Sequence, residues 1–181
     1  SNKKINSNLI FVAFSGEEKG LLGSNYFVNN FPIEPSSINC MINMDMVGRY
    51  DSQKGVIIGG IGTSPFWSKA LEKINIDGLK IVTDSSGIGP SDHASFYLKN
   101  IPVLHFFTGA HEDYHKPTDD ADKINYKGMT ILMNAIIQII NQTITTEKLT
   151  FLKTKGKNST TPKFSVTLGV IPDYLFDGEG M

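Results

Sequence analysis

The sequence predicts an α/β fold, a layered sandwich built on a mainly parallel β-sheet. Three observations support this prediction. Short apolar runs, each about as long as a buried strand, recur along the chain. Segments with helix-starting residues or helical apolar spacing separate these runs. No apolar stretch reaches the roughly 18 to 20 residues of a membrane span. Alternating strands and helices are typical of α/β domains with right-handed crossovers, although the pattern does not reveal the strand order.

Five apolar runs are predicted to be strands. The first, LIFVAF, is continuous, as expected of a strand that is covered on both faces. The third, KGVII, ends at the pair Gly59 and Gly60. The predicted strands are residues 9–14, 38–44, 54–58, 79–83 and 101–107.

Four helices are predicted between and after these strands. Ser24 is a candidate N-cap for residues 24–31, which stop near Pro32. Ser64 and Pro65 form a strong start signal for the second helix, because Ser is favoured at the N-cap and Pro at the first helical position. Ser91 is a candidate N-cap for a helix that runs through Leu98. Residues 126–144 carry apolar side chains at helical spacing and form the longest predicted helix.

Composition excludes some classes of protein. The 181 residues include 17 basic and 18 acidic side chains, a net charge of −1. This balance gives no electrostatic reason to expect a nucleic acid or an anionic membrane as partner. The single cysteine, Cys40, rules out an internal disulfide and is predicted to be a small buried apolar residue.

The chain divides near residue 150. Residues 1–150 are predicted to form one domain, and residues 151–162, which are mostly polar, to form a linker. Residues 163–170 (KFSVTLGV) then alternate like a strand. The segment 163–181 is too short to be a domain. It either adds an edge strand to the first domain or begins a second, truncated domain, and we favour the second interpretation.

Acidic and imidazole side chains follow several of the predicted strands. Glu17 and Glu18 follow the first strand, Asp45 follows the second, and His115 lies in the loop after the fifth. In open parallel α/β sheets, ligands bind beyond the carboxyl ends of the strands. We therefore expect these groups to lie along one rim of the sheet.

Two adjacent glutamates on such a rim need an explanation, because crowded carboxylates repel and raise each other's pKa. A bound divalent cation reverses that cost. Carboxylates together with a neutral imidazole are ligands that Zn²⁺ accepts. One glutamate can then bind the ion while the other accepts a proton from water. Each residue alone also fits a surface or turn role; their coincidence after separate strands strengthens the case for a metal site, and both interpretations stay open at this point.

The segment HEDYH, residues 111–115, matches the H-E-x-x-H zinc signature by letters only. That signature requires a helix, on which the two histidines share one face. Gly109 and Pro117 flank the segment, and no apolar helical stripe accompanies it. The helical zinc motif is therefore not expected here.

Four ordered motifs, FSGEEKGLLGS, MINMDMVGR, SDHASF and DYHKPTDDADKIN, resemble the co-catalytic (di-zinc) aminopeptidases, a family that includes glutamate carboxypeptidases and glutaminyl cyclases. The resemblance spans about residues 9–144. It implies a three-layer sandwich with a mainly parallel (mixed) central sheet, of the zinc-exopeptidase type. It also implies zinc as the cofactor, with two ions in the intact enzyme.

The resemblance assigns roles by position. Glu17 corresponds to the general base, Glu18 and His115 to the ligands of one zinc, and Asp45 to a ligand of the other. Tyr114 corresponds to a tyrosine that hydrogen-bonds the oxyanion in some members. The SDH motif lies near the site without binding the metal, in a supporting or substrate-proximal position; its residues are Ser91, Asp92 and His93.

The family has two further ligands, a histidine and a bridging aspartate, on strands upstream of the Glu-Glu motif. The residues before Leu9 contain neither. We therefore expect this chain to be the C-terminal part of the catalytic domain, with its N-terminal strands missing, an incomplete metal site and no activity alone. FSVTLGVIPDY in residues 163–181 resembles the start of a PDZ-like domain.

The function implied is zinc-dependent hydrolysis of N-terminal residues from peptide substrates. A glutaminyl-peptide cyclase and a non-catalytic interaction module with the same fold remain alternatives. A carboxypeptidase for acidic substrates is disfavoured, because Arg49 is the only arginine available to bind them. Family analogy suggests a bacterial protein that is periplasmic, secreted or on the cell surface. The oligomeric state and the side-chain preference are not predicted.

Overall fold

The computed structural model describes residues 7–154 and contains an open four-stranded sheet. The strands are β1 (Met41–Asp45), β2 (Val56–Gly59), β3 (Ile81–Thr83) and β4 (Val103–Phe107). Their order across the sheet is β1-β4-β2-β3. β1 pairs with β4 and β2 pairs with β3 in parallel, whereas β2 and β4 are antiparallel. The predicted mainly parallel, mixed sheet is confirmed.

Four α-helices accompany the sheet: α1 (Leu22–Asn29), α2 (Pro65–Leu71), α3 (His93–Tyr97) and α4 (Tyr126–Thr143). The predicted start of α2 is confirmed, because the Ser64 hydroxyl accepts a hydrogen bond from the Phe66 amide at 3.4 Å. In α4, the Asn125 side chain accepts from the Gly128 amide at 2.9 Å. N-capping side chains therefore define where α2 and α4 begin, and these two helices cover the same face of the sheet.

Side chains alternate across β4 and divide the interior into two cores. Leu104 and Phe106, both fully buried, lie in one core, and Val103 lies in the other. The first core is completed by α2 and α4, the second by α1 and α3. Helices on both faces of one sheet give the three layers that the sequence predicts. The main helical contributors are Trp67, Leu132, Ile136 and Ile139 in the first core, and Val28, Phe96 and Tyr97 in the second.

The predicted strand at residues 9–14 is wrong. This segment has no strand pairing within residues 7–154, and its apolar side chains are exposed, Phe11 by 82%. A strand exists only where a neighbour satisfies its backbone N–H and C=O groups. Apolar composition predicts burial but cannot supply that neighbour. Phe14, at the end of the segment, does pack against the second core.

Two predicted N-caps are also wrong. α1 begins before Ser24, whose buried hydroxyl lies 2.9 Å from that of Ser95 and so joins α1 to α3. The N-cap of α3 is Asp92, not Ser91, and its side chain makes no capping bond. In both cases a long-range hydrogen bond uses the serine hydroxyl that local capping would need.

Residues 150–154 lie along the surface of the domain. The Leu152 amide donates to the Thr63 carbonyl at 2.8 Å, and the Thr154 amide donates to the Tyr97 hydroxyl at 2.9 Å. Most of the predicted linker and the whole PDZ-like segment lie outside the described residues. Within residues 7–154, no helix is long and apolar enough to cross a membrane.

Candidate metal centre

The two adjacent glutamates lie in a 3-10 turn, Glu17–Lys19, immediately before α1. Gly16 enters this turn with a φ of 66°, a left-handed conformation that favours glycine. At Gly23, a Cβ atom would lie 2.5 Å from the Ser15 carbonyl oxygen. Only glycine therefore lets the start of α1 approach the backbone of Ser15 this closely. The glycines that surround the Glu-Glu pair therefore make a tight turn beside the end of the sheet possible.

Asp45 is the last residue of β1 and faces Phe107 of β4 in register. The chain turns sharply at the next residue, Met46, which has a φ of 59°. The Thr108 hydroxyl donates a hydrogen bond to the Met46 carbonyl across the two strands. This bond holds a left-handed non-glycine residue that is intrinsically unfavourable by about 1 to 2 kcal/mol. The carboxylate of Asp45 is thereby fixed at the rim.

His115 and Glu18 come together at the rim, as the sequence predicts. The Nε2 atom of His115 lies 3.0 Å from Oε1 of Glu18. Both side chains are partly open to solvent, with 40% and 68% of their surface exposed, so an ion can reach them. The ring of Tyr114 stacks on His115 with centroids 3.9 Å apart. Tyr114 therefore lies beside the same carboxylate–imidazole pair.

The loop that carries His115 is held by a buried aspartate. Asp113 accepts hydrogen bonds from Lys123, from Thr118 at 2.7 Å and from Arg49 at 3.1 Å. These three donors hold the pKa of Asp113 well below its usual range. Arg49 also contacts Asp119 at 2.5 Å. Residues 111–115 form turns rather than a helix, which confirms that HEDYH is not the helical zinc motif.

The expected crowding of acids is present. The pKa of Glu17 is raised, chiefly by burial and then by the charges of Asp45 and Asp92, with a smaller effect from Glu18. Burial also raises the pKa of Asp45, and the charge of Asp92 adds to this effect. Hydrogen bonding to Ser91 opposes the shift at both Glu17 and Asp45. The rim is therefore a place where added positive charge is favourable.

The SDH motif divides between the rim and the interior. The buried Ser91 hydroxyl accepts a hydrogen bond from Asn43 at 2.9 Å. Asp92 is 8% exposed, and its buried Oδ1 has no hydrogen-bond partner among the described residues. His93 is turned to the sheet, where its ring stacks on His105 with centroids 4.2 Å apart. Ser91 and Asp92 thus lie near the carboxylates of Glu17 and Asp45, whereas His93 packs inside the domain against His105.

The donor set fits zinc in its chemistry but only in part. A carboxylate and an imidazole 3.0 Å apart are ligand types that zinc accepts. The partnerless buried oxygen of Asp92 and the raised pKa values nearby also suit a cation. Within residues 7–154, however, no group of three or more His, Cys, Asp or Glu side chains is placed to hold an ion.

Sequence reasoning missed several residues that shape this rim. Arg49, Lys123 and Thr108 act only through contacts across the fold, and no local pattern signals them. Asn43 and His105 do leave a signal, because each is a polar residue inside an otherwise apolar strand. Such a residue in a buried strand requires a specific partner.

An α/β layer structure with this rim is the architecture of a zinc-exopeptidase-type domain. The family model of peptidase family M28 matches residues 1–140. The chain therefore belongs to peptidase family M28.

Two curated relatives illustrate the similarity. Leupeptin-inactivating enzyme 1 of Streptomyces exfoliatus is 35% identical over 119 residues, 64% of this chain and 26% of the relative. Aminopeptidase YwaD of Bacillus subtilis (strain 168) is 28% identical over 153 residues, 76% of this chain and 32% of the relative. The chain thus spans about a quarter to a third of the length of these relatives.

Solved structures agree with the fold. The zinc aminopeptidase BSAP from Bacillus subtilis superimposes with a TM-score of 0.62 at 25% identity, covering 76% of this chain and 38% of that one. Glutaminyl cyclase from Porphyromonas gingivalis gives a TM-score of 0.54 at 16% identity, covering 73% and 50%. The second likeness shows the fold alone.

Proposed function

We propose that this protein is a zinc-dependent aminopeptidase that hydrolyses N-terminal residues from peptides. The observation that carries the proposal is the 3.0 Å approach of His115 to Glu18, with Glu17 in the same turn. Membership of family M28 and relatives named as aminopeptidases support it. The distant cyclase neighbours provide no observation that favours cyclisation.

In this proposal, two zinc ions bind at the rim. Glu18 and His115 would hold one ion and Asp45 the other, and residues outside 7–154 would complete the coordination. Zinc, when bound, supplies Lewis acidity that makes water easier to deprotonate and a carbonyl easier to attack. The other steps belong to side chains of the protein.

Glu17 is the general base. Glu17 lies in the same turn as Glu18, so its carboxylate can accept a proton beside the ion that Glu18 would hold. Glu17 takes a proton from the water whose oxygen attacks the scissile carbonyl, and it returns that proton to the nitrogen as the C–N bond breaks. The products are a free amino acid and a peptide with a new amino terminus. In this proposal Tyr114, whose ring stacks on His115, donates a hydrogen bond to the developing oxyanion.

The setting forms part of the proposal and rests on the sequence resemblance. We place the enzyme in a bacterium as an exported protein, periplasmic, secreted or on the cell surface. The motif in residues 163–181 would begin a PDZ-like domain after the peptidase domain. Peptides are the only partner that the proposal requires.

The test compares wild type with Glu17→Gln on an aminoacyl chromogenic substrate and on peptides, with zinc content measured in parallel. Loss of a general base is expected to lower kcat by about 10²- to 10⁴-fold while zinc content stays unchanged. Glu72→Gln, at the end of α2, is the matched control and should keep the full rate. A near-normal rate in Glu17→Gln would show that the base is misassigned. Conversion of N-terminal glutamine to pyroglutamate without hydrolysis would identify a cyclase instead.

A further inference from the structure

Asn43 and His105 face each other on neighbouring strands behind the metal centre. They are register partners in the parallel pair β1–β4, so their side chains lie on the same face of the sheet. Asp45 lies two residues beyond Asn43 and shares that face. A line of polar side chains therefore leads from the interior of the sheet to the rim.

One nitrogen atom joins three of these side chains. The amide Nδ2 of Asn43 lies 2.9 Å from Ser91 Oγ and 3.0 Å from His105 Nδ1. A primary amide nitrogen carries two hydrogens, one for each of these contacts. Both partners must then act as acceptors, and the neutral His105 carries its hydrogen on Nε2.

The surroundings of His105 favour this arrangement. Its ring is stacked on His93 with an interplanar angle of 12°, which restrains the plane of the His105 ring. Burial lowers the pKa of His105 to about 4, so the ring is neutral at pH 7 and can accept a hydrogen bond. Asn43 itself is 9% exposed, so water does not readily replace these partners.

The arrangement determines where the hydrogen of Ser91 points. A hydroxyl has a single hydrogen, and Asn43 already donates to one lone pair of Ser91. That hydrogen is left for one of the two neighbouring carboxylates, Glu17 or Asp45, whose pKa values Ser91 lowers. If the amide were reversed, its oxygen would compete with the carboxylates for this hydrogen.

We propose that Asn43 is a positioning residue of the metal centre, which directs the single hydrogen of the Ser91 hydroxyl at the carboxylate of Glu17 or Asp45. The catalytic consequence rests on the proposed function, whereas the orientation of the amide does not. Asn43 acts through Ser91 and does not contact the substrate. Outer hydrogen-bond partners of this kind typically change metal affinity or activity by 10- to 100-fold.

The first test is ¹⁵N NMR of the histidine rings in the full-length protein at pH 7. His105 is assigned by its absence in His105→Gln. The proposal requires an unprotonated Nδ1 and a protonated Nε2 on His105. A protonated Nδ1 would mean that Asn43 presents its oxygen to this ring, and would overturn the proposal. This measurement needs neither zinc nor activity.

The second test is a double-mutant cycle with Asn43→Ala and Ser91→Ala. Each single change should lower kcat about tenfold with KM altered less than twofold, and the double variant should be no slower than Ser91→Ala. The control Asn39→Ala removes an amide ahead of the same strand, where Asn39 accepts from Leu149, and should keep the rate.

Asn43→Asp distinguishes the loss of the hydrogen bond from a general folding defect. It keeps the shape of the side chain but, when ionised, has no hydrogen to donate, so it should slow turnover as much as Asn43→Ala. Additive effects of Asn43→Ala and Ser91→Ala, or a normal rate in Asn43→Asp, would overturn the proposal. If the wild-type protein lacked peptidase activity, the proposed function would fail, and the NMR result alone would decide the orientation of Asn43.

Discussion

His115 Nε2 lies 3.0 Å from Glu18 Oε1, although the two residues are 97 positions apart in the sequence. His115 has a φ of 56°, so the contact includes an unfavourable backbone conformation. Four non-glycine residues among 7–154 have a positive φ, and three of them, Leu21, Met46 and His115, lie in the segments that form the rim. Strain of this kind clusters at functional sites, where the surrounding structure enforces it.

The crowded acids should make the metal-free protein less stable than it could be. Asp45→Asn removes one of several mutually repelling charges at the rim. We expect the free energy of unfolding in the presence of a chelator to rise by about 1 kcal/mol, or a Tm increase of roughly 2–4 °C. Asp77→Asn, in an exposed turn, is the control and should change little. Zinc should stabilise the wild type more than Asp45→Asn, and a loss of stability in Asp45→Asn with chelator would contradict this account.

The hydrogen bonds to Asp113 should matter more than its charge alone suggests. Asp113→Asn replaces one of the two carboxylate oxygens by an NH2 group, which then faces either Arg49 or the donors Lys123 and Thr118, and so disrupts the loop that carries His115. We expect a lower Tm and a kcat/KM reduced by about tenfold, since small displacements of site groups are costly. Asp119→Asn is the matched control, because Asp119 also binds Arg49 but is exposed. Equal effects of the two variants would show that the buried bonds to Asp113 do not position His115.

The stacked histidines predict a pH dependence of stability. Burial lowers the pKa of His93 to about 3 and that of His105 to about 4, and the neighbouring His105 adds to the shift of His93. An unfolded histidine titrates near 6.5, so as the pH falls below this value the unfolded state binds protons before the folded state does. The histidine contribution is thus complete above pH 6.5 and is lost progressively toward pH 3 to 4. At pH 5 the expected loss is about 2 kcal/mol for each histidine.

His93→Phe tests this directly, because it keeps an aromatic ring without a titrating group. Chemical unfolding at pH 7 and pH 5 should show a pH-dependent loss smaller by about 2 kcal/mol in His93→Phe than in wild type. His111→Phe, which leaves the stacked pair intact, should retain the full pH-dependent loss. An identical pH response of His93→Phe and wild type would mean that His93 is protonated in the folded state.

The elements with strong local signals could be predicted from the sequence. β1, β2, β3 and β4 lie where the predicted apolar runs are, and α4 follows its apolar periodicity almost to the residue. The Ser64 cap of α2 is also local. The strand prediction for residues 9–14 is wrong because a strand requires a hydrogen-bonded neighbouring strand, which an apolar run does not encode. The predicted N-cap at Ser24 is wrong because the Ser24 hydroxyl hydrogen-bonds to that of Ser95, far along the chain.

The site could be predicted as a set of residue types at strand ends, but not as an arrangement. Glu18 and His115 meet as expected, but only His115 follows a strand in the structure, whereas Glu18 lies in the turn that precedes α1. The bonds of Asp113 and the stacking of His93 on His105 depend on side-chain packing across the fold. Neither spacing nor composition encodes such contacts.

The central claim is that Glu18 and His115 hold a zinc ion at the rim. Crystals of the full-length protein grown with zinc, measured on both sides of the zinc absorption edge, test it most directly. The account predicts an anomalous peak bonded to the Glu18 carboxylate and the His115 imidazole, and its loss from that position in His115→Ala. A zinc peak at a different place, with Glu18 and His115 paired only with each other, would contradict it.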